Sequence, residues 1–149
     1  MPEKSDSSRP APSGASKGDK YDLAVIGAGS AGFSAAITAA EQGAHVALIG
    51  HGTIGGTCVN VGCVPSKAFI RAAEAIHHAN TAPRFAGVSA KGQLADWAAL
   101  RQQKDELVGA LRQAKYIDLL PEYNRVAYLE GRASLGNGGV VLDGRHIDA

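Results

Sequence analysis

Tyr21-Asp22-Leu23-Ala24-Val25-Ile26-Gly27-Ala28-Gly29-Ser30-Ala31-Gly32 decides the fold of this chain. A short β-rich run ends in a G-x-G-x-x-G turn. An alanine-rich segment then runs to Gln42, where Gly43 supplies a helix terminator. Ala44-His45-Val46-Ala47-Leu48-Ile49 reads as a second buried strand. Strand, glycine turn, helix, strand is the order in which a dinucleotide-binding fingerprint operates. Gly27 permits the tight turn, Gly29 lets a pyrophosphate approach the backbone, and Gly32 lets the helix lie close to the strand. The helix N-terminus then turns unpaired N–H groups toward the phosphates. Outside such a unit the same pattern is often only a tight turn. One part of the fingerprint is missing. About 20 residues on, where an Asp or Glu would hold a ribose hydroxyl, the chain reads Ile49-Gly50-His51. Either His51 offers a hydrogen bond there, or backbone and water hold the ribose and His51 is a plain exposed loop residue.

The second informative stretch is Gly55-Gly56-Thr57-Cys58-Val59-Asn60-Val61-Gly62-Cys63-Val64-Pro65-Ser66-Lys67, which holds both cysteines of the chain. Structural zinc takes four ligands, and no further cysteine or nearby histidine completes a cage. A redox pair suits the spacing, because a short loop costs little to close and either thiol can attack a disulfide involving the other. A structural disulfide, or two unpaired buried cysteines, are the alternatives. On a regular helix, positions five apart lie about 140° apart around the axis, so the sulfurs meet only if the helix is irregular. Pro65 has no N–H for the carbonyl of Val61 and crowds it, and Gly62 adds freedom beside Cys63. The spacing therefore predicts a distorted first turn in which Cys58 and Cys63 can bond, at a helix start that favours thiolate. Lys67, one turn beyond Cys63, either steadies a thiolate or is a solvated surface cation. This helix continues through Ile76 and is closed by His77 and His78.

The chain has 149 residues, enough for one domain with a core. A net charge of +1 and a pI near 7.8 give no reason to expect nucleic acid or an anionic membrane as partner. No apolar run reaches the length of a membrane span. The N-terminus lacks the apolar region of a secretory signal, which points to a cytoplasmic location. A disulfide there is more often catalytic than structural. Residues 1–20, rich in Ser, Pro, Gly, Ala and Lys, read as a disordered tail. Trp97, Leu100, Leu107, Leu111 and Ala114 mark the apolar stripe of a long helix from Trp97 to about Leu120, ended by Pro121. Arg125 to Glu130 is a third strand, and Asn137-Gly138-Gly139 and Asp143-Gly144 are hairpin signals around Val140-Val141-Leu142. The fold class is thus α/β, a Rossmann-like βαβ unit with a parallel sheet, followed by the start of an antiparallel β-meander.

With both motifs placed, the chain from Tyr21 onward resembles the flavoprotein disulfide reductases, and the Gly55–Lys67 string is highly specific for that group. Thr53-Ile54 and Leu111-Arg112-Gln113-Ala114-Lys115-Tyr116 look most like its mercury-reducing branch. Lipoamide enzymes more usually carry Leu at the place of Val59 and Ile at that of Val64, and glutathione reductases usually carry Lys at that of Ser66. The resemblance implies FAD lying along Gly27–Gly32, with further cofactor contacts from Gly52, Thr57, Lys67 and Ala133. It implies Cys63 as the sulfur stacked on the flavin and Cys58 as the one that exchanges with substrate. Both cysteines would be the thiolate ligands of Hg(II), a soft ion that prefers sulfur, and Lys67 could also steady a reduced flavin. The reductant implied is NADPH, held by a second dinucleotide fold, and the full-length protein would be a homodimer; neither that fold nor a dimerisation domain is recognisable here. Residues 21–149 correspond to the first segment of the FAD-binding domain, and this piece alone is not expected to turn over. A reductase acting on lipoamide, glutathione or another small disulfide is one competing function. A non-catalytic module that holds FAD or a thiophilic metal is another. Gly50 departs from the family, in which an acidic residue is usual.

Overall fold

The computed structural model describes residues 20–136 and 138–149. The tail up to residue 19, and Asn137 of the first hairpin signal, lie outside the described residues.

Strand β1 spans Leu23–Ile26, helix α1 Ser30–Glu41 and strand β2 Val46–Gly50. The two strands are parallel, with Leu23 opposite Val46 and Ile26 opposite Ile49, as a helical crossover requires. Strand β3, Val126–Glu130, pairs parallel on the other side of β2, so the order is β1-β2-β3. Every residue of the central strand is buried. A strand covered on both faces has to be an unbroken apolar run, which is how its sequence reads. Alternating side chains send Val46 and Leu48 into a cluster with Phe33, Ala36, Ile54, Val59, Tyr116 and Tyr128. Ala47 and Ile49 point the other way, into a cluster with Tyr21, Leu129, Leu142 and Ile147. Full burial of each large apolar side chain stabilises by about 1.5–3 kcal/mol, so β2 joins the two layers energetically as well as sterically.

The second cluster is closed by an antiparallel sheet of β4 (Ala133–Gly136), β5 (Gly139–Leu142) and β6 (Arg145–Ile147), in that order. Asp143 and Gly144, both at positive φ, form the tight turn that the Asp-Gly pair predicts. Tyr21 N donates to Asp148 O at 2.9 Å, which ties the end of the meander to the entrance of β1. Helices, parallel sheet and antiparallel sheet make three layers. The α/β reading with a βαβ unit and a meander holds.

The remaining helices are α2 (Gly56–Asn60), α3 (Cys63–Thr81) and α4 (Trp97–Arg112). Two expectations need correction. His77 and His78 do not close α3. The helix continues to Thr81, whose hydroxyl donates back to His77 O at 2.9 Å. The apolar stripe of α4 is also displaced, because Trp97 and Leu107 are 55% and 43% exposed while Val108 and Tyr116 are buried. The first half of α4 packs on α3, where Trp97 stacks on Phe69 with ring centroids 5.1 Å apart, and only the second half reaches the core. Asp96 caps α4, its Oδ1 accepting from Ala98 N at 2.7 Å and Ala99 N at 3.1 Å. Beyond Arg112 the helix widens into a π turn over Gln113–Ile117 and ends in a 3₁₀ turn, Leu120–Glu122, around Pro121.

Candidate functional site

The glycine turn has the geometry that its sequence predicts. Gly27 sits at φ +117° and its N donates to Ile49 O at 2.8 Å, which locks the turn against the end of β2. A Cβ on Gly32 would stand 1.7 Å from Gly27 O, so helix and turn touch through bare backbone. No side chain caps α1 at Gly29. The N–H groups of its first turn are therefore free of side-chain competition and fit a phosphate. The double-glycine loop crosses this turn. Gly55 N donates to Ala28 O at 2.9 Å, and Gly29 and Gly55 form an isolated parallel bridge. The crossing joins the two sequence motifs into one site.

The cysteines arrive by a different route from the one expected. Instead of one helix distorted by Pro65, two helices meet at Val61-Gly62, with Gly62 at φ −110°, ψ −113°. Pro65 falls in the first turn of α3, where its missing N–H costs nothing. Cys58 belongs to α2 and Cys63 opens α3. Both are exposed free thiols, and their side chains are hydrogen-bonded to each other. That bond is the largest cause pushing the Cys58 thiol above its ordinary value. Desolvation and the Cys63 charge add to it, while a hydrogen bond from the Cys63 backbone and the Lys67 cation pull the other way without reversing it. The expected favouring of thiolate at the helix start is not met at Cys58, because α2 is a single short turn and the second thiol outweighs its dipole. A raised value leaves less thiolate at any given pH. Iodoacetamide alkylation of Cys58 in the reduced protein should therefore reach half-maximal rate at higher pH than in a free cysteine peptide. In Lys67→Gln the midpoint should move higher again, and a fall there would contradict this electrostatic account.

A brace holds the cysteine segment in place. Asn60 Nδ2 donates to Ile54 O and to Gly56 O, both at 2.9 Å, and Arg112 donates to Asn60 Oδ1 at 3.2 Å. The Ser30 and Tyr116 hydroxyls lie 2.8 Å apart, and the Tyr116 ring stands edge-on to Phe33 at 4.8 Å. Ser30, Asn60, Arg112 and Tyr116 thereby fasten α1, the cysteine segment and the end of α4 together. Sequence reasoning gave these four no role, although Asn60 lies inside the cysteine string and Arg112 and Tyr116 inside the helix segment compared with the family.

Of the other candidates, Gly52 is in the loop after β2 at φ +78°, and Thr57 and Lys67 are exposed on α2 and α3. Ala133 opens β4 and packs on the second core. His51 Nε2 accepts a 3.4 Å hydrogen bond from Arg132 Nε. Among the described residues no three His, Cys, Asp or Glu side chains converge as a metal site. No helix of the described residues is long and apolar enough to cross a membrane.

The family model described as pyridine nucleotide-disulphide oxidoreductase matches residues 21–147. The chain belongs to this oxidoreductase family. Among relatives, a mercuric reductase of Lysinibacillus sphaericus is 54% identical over 106 residues, which is 71% of this chain and 19% of that protein. A dihydrolipoyl dehydrogenase of Chlamydia pneumoniae is 40% identical over 116 residues, 78% of this chain and 24% of that protein. The Cu(II) complex of the HOCl-induced flavoprotein disulfide reductase RclA from Escherichia coli superposes with a TM-score of 0.61 at 30% identity, over 83% of this chain and 24% of that one. This oxidoreductase chain thus spans about a fifth to a quarter of the length of those relatives.

Proposed function

We propose that this chain is the FAD-binding N-terminal part of a mercury(II) reductase, with residues 1–20 as a tail and 21–149 as the first segment of the cofactor domain. The observation that carries the reading is the pair of adjacent, exposed thiols at the junction of α2 and α3, just after a double-glycine loop that is hydrogen-bonded to the glycine turn. The turn fits a dinucleotide: a Cβ on Gly32 would close it, and the first turn of α1 carries no side-chain cap. FAD bound there supplies two-electron transfer between a nicotinamide and the cysteine pair. Gly27, Gly29 and Gly32 hold its pyrophosphate, and Gly52, Thr57, Lys67 and Ala133 add contacts along it. Cys63 serves as the flavin-side sulfur and Cys58 as the one that meets substrate. In the reduced state the two thiols release their protons to solvent as Hg(II) binds, and hold the ion as a bis-thiolate, a donor set that suits a soft ion. NADPH as reductant, a homodimer and a cytoplasmic location complete the proposal for the whole protein. The dihydrolipoyl dehydrogenase relative supports a second reading, in which the same pair exchanges with a small disulfide.

The test uses the full chain in its reduced form. It is expected to hold one FAD and one Hg(II), and to keep the metal against excess glutathione, whereas Cys58→Ser and Cys63→Ser release it. If the unaltered protein gives up Hg(II) as readily as either variant, the mercury reading fails. Rapid exchange with oxidised lipoamide alongside that result would favour the disulfide reading.

A further inference from the structure

Position 50, at the carboxyl end of β2, is where the fingerprint places its ribose carboxylate, and the structure gives a reason why none stands there. A Cβ built on Gly50 would lie 2.6 Å from the Tyr128 hydroxyl and 2.7 Å from the Ala28 Cβ. With Tyr128 in place, no side chain fits at this position. The neighbouring strand end does carry a carboxylate, because Gly50 pairs in register with Glu130 of β3. Register partners on adjacent strands lie about 4.8 Å apart and project from the same face. Gly131 N donates to Gly50 O at 2.8 Å, which fixes that register at the strand ends. Glu130 is exposed, whereas Tyr128, two residues earlier on the same face, is buried. Burial first, and then the Glu130 charge, raise the Tyr128 phenol above its ordinary value. The carboxylate is therefore within electrostatic reach of the hydroxyl that covers Gly50. His51, the other candidate for a ribose contact, has its Nε2 engaged by Arg132.

We propose that Glu130, one strand over from the usual place, is the carboxylate that accepts hydrogen bonds from the adenosine ribose of the bound dinucleotide. This rests on the FAD reading above. Tyr128 is a positioning residue. It closes position 50 to any side chain and, being neutral, puts no second negative charge beside Glu130.

The experiment measures displacement of FAD from the full chain by ADP and by 2′-deoxy-ADP. The unaltered protein should prefer ADP by about tenfold, the effect of one hydrogen bond to a charged acceptor. Glu130→Gln should bring the preference close to one. The combined variant Ala28→Gly, Gly50→Glu, Tyr128→Val, Glu130→Gln clears both side chains that crowd position 50, returns the carboxylate to β2 and should restore it. The preference is a ratio taken within the folded population, so partial unfolding of a variant leaves it readable. If Glu130→Gln discriminates as the unaltered protein does, this proposal is overturned and the FAD reading stands. If the unaltered protein binds no FAD, both fall.

Discussion

A Gly32→Ala chain is expected to lose about 4 kcal/mol or more of stability and to retain no FAD. The added Cβ would sit 1.7 Å from Gly27 O and 2.9 Å from Gly27 C. Both are backbone atoms, so no rotamer change relieves the clash. Either α1 lifts from the sheet or the turn is rerouted. Lifting α1 pulls Phe33, Ala36 and Ala40, all buried, away from β2 and leaves a cavity behind them. Rerouting the turn breaks the Gly27 N to Ile49 O bond and moves the helix N-terminus off the phosphate site. Against a total stability of about 5–15 kcal/mol for a domain, either response is severe. Gly109→Ala makes a suitable control, since a Cβ there meets nothing within 4 Å inside α4, and should be neutral or stabilising by up to about 1 kcal/mol. Urea denaturation compares the two, and a Gly32→Ala midpoint equal to that of the unaltered protein would refute the close-packing argument.

Asn60→Ala should cost about 2 kcal/mol and change the chemistry of the thiols without touching either of them. The amide bridges Ile54 O and Gly56 O on one side and Arg112 on the other, so alanine leaves half-buried carbonyls and a cation without this partner. The segment it braces carries Cys58 two residues away. Loosening it should weaken the bond between the thiols, the largest cause of the raised Cys58 value. The alkylation profile of Cys58 should therefore shift to lower pH, in the direction of a free cysteine. A purely structural role would lower the denaturation midpoint and leave that profile unmoved.

Much of the scaffold could be read from local pattern because local chemistry enforces it. The run at 46–49 is apolar without alternation, as a strand buried on both faces requires, and β2 occupies that place. The Asp143-Gly144 turn and the G-x-G-x-x-G turn both depend on backbone angles that few residues supply. Two histidines suit a helix dipole without marking a helix end, and α3 runs on to Thr81, whose hydroxyl bonds back to His77 O. Periodicity reveals the apolar face of α4 but not its partner, and Trp97 meets Phe69 of another exposed helix. The cysteine string announced a site, but how its thiols come together depends on a break at Gly62 and not on Pro65. The contacts that assemble the site join Ser30 to Tyr116 and Asn60 to Arg112, 86 and 52 positions apart. No local rule encodes such distances.

The π turn over Gln113–Ile117 makes the length of α4 as consequential as its composition. One additional residue is wound into that turn, so every later side chain is rotated about 100° from where an unbroken α-helix would aim it. Tyr116, the residue that meets Ser30, lies inside this turn. The spacing from the Asp96 cap to the Tyr116 hydroxyl thus behaves like the tooth count of a gear, in which one step added or removed leaves the parts intact but out of mesh.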